Sequence, residues 1–372
     1  MPLLLAVPSD IWRTRIVVFL CATDLLQADQ AVVNCTDRTH FHANIRGATM
    51  VETLTIGSRQ VQFMSWFYQR GIIFDGIVAR GGFQRECYAI LTKFLSTASV
   101  LHFLESRFFP DELLSTILLA CSKTLQSLTL TDCTMSNLST LSCCSAAVAL
   151  RVENCHFLVD SLLLQTVLSC KLLRRLTIIN CKDISEATVA AVLMKCSNLV
   201  SLILKGCIER PMRLKTLSKM LLVPSNLRQF QLGTCHVSSS ALVELSQNLP
   251  HLELLKLNTP NDVVSDVDIA ALVRHCTRLA SLTLHRFERL SGDALCSMAV
   301  HLLALTDLRL ESLQGAPSNI TDNGVVALAK GCPHLQNLVL ACCTQLTDTA
   351  VQGLCTHAKE LCQLHGPHGS SV

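Results

Sequence analysis

The sequence predicts an α/β solenoid, a stack of strand–turn–helix coils with parallel strands on one side and helices on the other. Three observations carry this. An apolar pattern, Leu-x-x-Leu-x-Leu-x-x-Cys, returns at intervals of 22 to 30 residues. Within each copy the fourth and sixth positions are apolar around a variable fifth, the period-two mark of a short strand with one buried face. A helical pattern then follows each strand, as in Ser185-Glu186-Ala187-Thr188-Val189-Ala190-Ala191-Val192-Leu193. A coil of this size can bury its apolar edge only against its neighbours, so the beat implies stacking.

The clearest copies are Leu173-Leu176-Ile178-Cys181, Leu199-Leu202-Leu204-Cys207, Leu227-Phe230-Leu232-Cys235 and Leu335-Leu338-Leu340-Cys343. The same frame fits units opening at Leu125, Ala147, Leu252, Leu279 and Leu305, with Pro260, Phe287 and Leu313 in place of the final Cys in the last three. Run backwards, it gives Leu101-Leu104-Ser106, Phe74-Ile77-Ala79 and Val51-Leu54-Ile56. Helix starts are expected where a hydroxyl residue precedes an acid or small residue, at Ser185, Ser265, Ser291, Thr321 and Thr347.

These coils resemble the cysteine-containing subtype of leucine-rich repeats, in which one Cys follows the strand and another precedes it. The preceding Cys is Cys121, Cys144, Cys170, Cys196, Cys276 or Cys332. The resemblance implies a leucine-rich-repeat solenoid with a curved parallel sheet on its concave side and helices on its convex side. Its expected extent is residues 47–366, degenerate over 47–120 and clear over 121–366, with a loose tail at 367–372.

Residues 1–46 form a separate helical segment. Pro8, Ser9 and Asp10 start a helix whose apolar face carries Ile11, Trp12, Ile16, Phe19 and Leu20; Thr23 or Asp24 starts a second with Leu25 and Leu26. The Val7-Pro8 opening, the Phe19-Leu20 pair and the Asp24-Leu25-Leu26 step resemble a degenerate F-box, with Cys35 standing where that family usually has Trp. The resemblance implies docking of a Skp-type adaptor through Pro8, Ile11, Ile16, Phe19, Leu20, Leu25 and Leu26. The same residues also read as a plain cap shielding the first coil, which a repeat stack needs in any case.

Composition narrows the function classes. A net charge of +3, with 16% of residues charged, gives no cationic excess for nucleic acid or membrane lipid. No apolar run reaches the ~18 residues of a membrane span. Of twenty Cys, twelve fall in the repeat frame, where small thiols act as compact hydrophobes; that argues for reduced thiols and a cytoplasmic or nuclear protein rather than a disulfide framework.

No phosphate loop and no nucleophile with a base is evident, so no catalytic residue and no cofactor are expected. Cys355, His357, Cys362, His365 and His368 are metal-competent, but the last lies in the tail, and no metal is assigned. The side chains between and just after the repeat leucines are expected on the concave face: Arg151, Glu153, Arg175, Lys205, Gln229, Gln231, Lys256, Asn258, His285, Arg309, Glu311 and Asn337. Longer loops at 208–213, 258–264 and 312–319 offer a second surface. The expectation is a non-catalytic substrate receptor of a Skp/cullin/F-box ubiquitin ligase, holding a target protein on its concave face. An adaptor-free scaffold, regulator or inhibitor built on the same repeats is the alternative.

Overall fold

A computed structural model describes residues 49–56, 61–80, 85–96, 98–104, 109–133, 139–155, 158–181, 184–207, 212–213, 226–236, 239–258, 264–285, 289–311, 319–341, 343 and 345–365. They fall into two compact units, Met1–Phe157 with Gln165–Leu172, and Leu158–Leu164 with Leu173–Val372. Both are leucine-rich-repeat solenoid. The adaptor residues expected between Pro8 and Leu26 lie outside the described residues, as does most of the three long loops.

The first unit holds strands β1 (Thr49–Ile56), β2 (Ile73–Arg80), β3 (Val100–Leu104), β4 (Ser127–Thr131) and β5 (Ala149–Glu153), each parallel to the next. Helices α1 (Val61–Gln69), α2 (Tyr88–Leu95) and α3 (Asp111–Ala120) alternate with them, and a 3-10 turn at Ser139–Cys143 stands in for the helix before β5.

The early coils, poor in leucine, are filled by rings. Phe67 packs edge-on against Phe74 at 5.1 Å, Phe74 against Phe94 at 6.1 Å, and Phe103 against Phe109 at 5.3 Å. Such pairs add about 0.5–1.5 kcal/mol beyond the area they bury.

The β3 coil lies in a different frame from the expected one. Leu101 pairs with Leu128, and Phe103 with Leu130. The β3 coil therefore reads Ala98-Leu101-Phe103, not Leu101-Leu104-Ser106. Alternation decides it, because Leu101 and Phe103 are buried whereas His102 and Leu104 point the other way and stay half-exposed. The expected frames at Ile77-Ala79 and Leu54-Ile56 agree with the register.

The second unit carries β6 (Arg175–Ile179), β7 (Ser201–Lys205), the short β8 (Met212–Arg213), β9 (Gln229–His236), β10 (Leu254–Asn258), β11 (Ser281–His285), β12 (Asp307–Glu311), β13 (Asn337–Ala341) and β14 (Gln363–His365). Apart from β8, which pairs only with β9, the strands run parallel in chain order. Leu176, Leu202, Phe230, Leu255, Leu282, Leu308 and Leu338 fall opposite one another, and so do Ile178, Leu204, Leu232, Leu257, Leu284, Leu310 and Leu340. All fourteen are buried. Each contributes about 1.5–3 kcal/mol by leaving water.

Between them run helices α5 (Glu186–Lys195), α6 (Ser239–Asn248), α7 (Asp266–His275), α8 (Gly292–His301), α9 (Asp322–Gly331) and α10 (Asp348–His357). Helix α4 (Asp160–Ser169) contributes residues to both units. Ser185, Ser265, Ser291, Thr321 and Thr347 are the N-caps, as expected.

Two devices join coil to coil. First-turn acids reach the N-cap of the following helix. Asp160 Oδ1 accepts from Ser185 N at 2.8 Å; the two Asp266 carboxylate oxygens accept from Ser291 N at 2.8 Å and Oγ at 2.6 Å; those of Asp322 accept from Thr347 N at 2.9 Å and Oγ1 at 2.5 Å. Buried thiols do the same on the strand side. Cys170 Sγ donates to Cys144 O at 3.2 Å, Cys276 Sγ to Leu249 O at 3.4 Å, Cys332 Sγ to Leu302 O at 3.4 Å and Cys207 Sγ to Ile178 O at 3.1 Å. Sixteen cysteines, these among them, stand outside any disulfide. Burial pushes Cys144 and Cys276 up to about 12, and Cys121 and Cys332 up to about 11, so these thiols keep the proton they donate.

At the strand ends Asp132, Asn154, Asn180 and Gly206 hold the left-handed turn, with φ of 51°, 54°, 50° and 58°. Each directly precedes a repeat Cys. Asp, Asn and Gly are the residues that accept this conformation cheaply.

Candidate interaction surface

Alternation along each strand turns every second side chain away from the leucine core, and the parallel register aligns these side chains into rows. In the first unit the middle row is Val78, His102, Thr129 and Arg151. Burial holds the His102 pKa below its ordinary value. Arg151 Nη2 donates to Glu153 Oε2 at 2.6 Å within one strand, a solvent-facing pair of small energetic weight. The two expected surface residues of this unit thus satisfy each other.

In the second unit the middle row is Thr177, Ile203, Gln231, Lys256, Thr283, Arg309 and Val339. The row before it is Arg175, Ser201, Gln229, Leu254, Ser281, Asp307 and Asn337; the row after it includes Lys205, Asn258, His285 and Glu311. The ten remaining expected residues all lie in these rows. Apolar Ile203, Leu254 and Val339 interrupt them, so the face is less uniformly polar than the named residues alone imply.

The register brings some of these residues together. Ser201 Oγ donates to Gln229 Oε1 at 3.0 Å, Asn337 Nδ2 donates to Asp307 Oδ1 at 2.5 Å, and His285 Nδ1 lies 2.8 Å from Glu311 Oε2. Lys205, Lys256 and Arg309 converge from β7, β10 and β12. Burial depresses the Lys256 pKa, the positive charges of Arg309 and Lys205 lower it further, and Asp307 opposes them. Between Lys256 and Arg309 in the register stands Thr283, only 3% exposed, whose Oγ1 is buried without a hydrogen-bond partner. Gln231 stands beside Lys256 in the register, between it and Ile203, whereas Arg175 lies at the β6 end of its row.

Asp307 was not among the expected surface residues. The signal for it was present: two positions before Arg309, it shares that residue's face by the same alternation. Among the described residues no group of three or more His, Cys, Asp or Glu side chains is placed to hold a metal, and no helix is long and apolar enough to cross a membrane.

No family model matches the sequence. Among curated proteins, the chain is 36% identical over 123 residues to Antagonist of mitotic exit network protein 1 of Eremothecium gossypii, 33% of this chain and 30% of that protein. It is 32% identical over 124 residues to Putative F-box/LRR-repeat protein 9 of Arabidopsis thaliana, 33% of this chain and 48% of that protein. A chain in the crystal structure of the Rad7 and Elc1 complex in yeast shares the fold, with a TM-score of 0.53 at 15% identity, over 97% of this chain and 92% of that one. This is a leucine-rich-repeat protein, similar to F-box/LRR proteins. The leucine-rich-repeat protein spans under half the length of the curated relatives it matches.

Proposed function

We propose that this leucine-rich-repeat protein is the non-catalytic target-recognition subunit of a Skp/cullin/F-box ubiquitin ligase, working in the cytoplasm or nucleus. In this reading residues 1–46 dock the adaptor and the solenoid holds the protein to be ubiquitinated. The observation that carries it is the aligned rows of polar side chains on the strand face, on a chain similar to F-box/LRR proteins over a third of its length. Two further points support it: a fold of this kind occurs in the two-protein Rad7 and Elc1 complex, and the sequence before the repeats resembles an F-box. A repeat array supplies extended surface for a partner, and the bond-making belongs to other subunits.

Capture by an immobilised Skp-type adaptor tests this. The full chain should be retained, a chain lacking residues 1–46 lost, and Leu20→Asp with Leu25→Asp should abolish capture while the circular dichroism of the repeats is unchanged. Equal capture with and without residues 1–46, or none of the full chain, removes the adaptor. The second reading, an adaptor-free regulator, is favoured by the relative whose name describes it as an antagonist.

A further inference from the structure

We propose that the sheet face around Lys205, Lys256, Thr283 and Arg309 takes an acidic, extended segment of the target protein, laid across the strands with Asp or Glu side chains about three residues apart. This rests on the receptor reading and adds the chemistry of what the receptor holds.

Charge complementarity selects the occupant. Three cations stand on one face with no acid among the described residues within ion-pair distance, while the Glu311 carboxylate is already engaged by His285 and Asp307 by Asn337. Lys256 and Arg309 flank Thr283 in the register, and that buried hydroxyl has a proton and no acceptor. Carboxylates set against Lys256 and Arg309 would each receive a charge on either side of Thr283, and the nearer one the hydroxyl's hydrogen bond. That ends the mutual repulsion which, with burial, lowers the affinity of Lys256 for its own proton.

Spacing selects the segment. Parallel strands lie about 4.8 Å apart, so Lys256 and Arg309, two strands apart in one row, are separated by about 10 Å, and Lys256 and Lys205, two strands and one row apart, by about 12 Å. An extended peptide advances about 3.3 Å per residue, which puts successive anionic side chains three positions apart. Nucleic acid fits poorly. Among the described residues no Phe, Tyr or Trp on this face offers a stacking platform, and Asp307 and Glu311 would meet the phosphates.

Fluorescence anisotropy of a labelled peptide of four Glu-Gly-Ser repeats, with the folded full chain at low ionic strength, is the test. The peptide should bind and the Gln-Gly-Ser counterpart should not. Lys256→Glu with Arg309→Glu should weaken binding by about tenfold or more, whereas Arg274→Glu with Lys330→Glu on the helices should change it by less than about twofold. If the reversal unfolds the protein, Lys256→Gln with Arg309→Gln should still cost about fivefold, and isosteric Thr283→Val should weaken binding without touching a charge. The inference is overturned if sheet and helix reversals act alike, or if the Glu peptide fails to bind. A phosphoserine version of the peptide or oligothymidylate binding more tightly would also overturn it. Adaptor capture in the same preparations separates the readings, because intact capture with no peptide binding removes the segment and leaves the receptor.

Discussion

Gly324→Ala sets two physical effects against each other with opposite signs. In an open helix, replacing glycine by alanine removes backbone freedom from the unfolded chain and stabilises by up to about 1 kcal/mol. Here a Cβ on Gly324 of α9 would stand 2.7 Å from Gly292 Cα and 2.8 Å from Gly292 O, on the neighbouring helix α8. Both atoms are backbone, so no rotamer change clears the way and the helices must part by about 0.5–1 Å, forfeiting much of the dispersion contact along that seam.

Overpacking of this kind costs about 1–3 kcal/mol, so the net expectation is a loss of about 1–2 kcal/mol. Gly353→Ala is the control, since the nearest obstruction there is a γ-methyl of the half-exposed Val326, a side chain rather than backbone, and the cost should be smaller. Urea unfolding followed by circular dichroism reads the net effect. Amide exchange localises it: amides of α8 and α9 that open together should exchange roughly tenfold faster in Gly324→Ala. Higher stability in Gly324→Ala, or equal damage from Gly353→Ala, would refute the close approach as the reason for this glycine.

Two further outcomes are expected. Asp266→Ala should cost about 1–2 kcal/mol by leaving Ser291 N without its acceptor, with Asp266→Asn intermediate; amide exchange at Ser291 is the direct readout. For the buried thiols the folded pKa lies above the ordinary value of 9, so their stabilisation is complete below pH 9 and is lost as pH rises toward 11 to 12. Unfolding free energy should fall by about 1 kcal/mol per buried thiol between pH 9 and 10. At pH 8 iodoacetamide should label the exposed Cys143, Cys355 and Cys362 of the folded chain and spare Cys144 and Cys276, as peptide mass mapping would show.

The coils from 121 onward were legible because burial alternates with period two along a strand, and the hydroxyl N-caps were legible because capping is a local need met by a local residue. The frame of the β3 coil is hidden in the sequence because leucine stands at both 101 and 104, and only pairing with Leu128 tells which one is inside. The strand-face residues were legible as a set, one by one, but not as a cluster. That Lys205, Lys256 and Arg309 share a field, or that Thr283 lies between two cations, depends on which residue of one strand faces which residue of the next. An acid in the first turn is a local helix-start signal, yet Asp160, Asp266 and Asp322 spend their carboxylates on a helix one coil further along.

Those three carboxylates impose a rule on how such a chain can change length. In each case donor and acceptor are 25 residues apart, whereas the spacing of the repeat units themselves wanders between 22 and 30. Each acid works as a latch cut for one span of polypeptide. A whole coil can be duplicated or excised with every latch still closing, whereas a single inserted residue inside the span carries the hydroxyl residue past its keeper. Growth by modules and rigidity within the module therefore come from the same side chain.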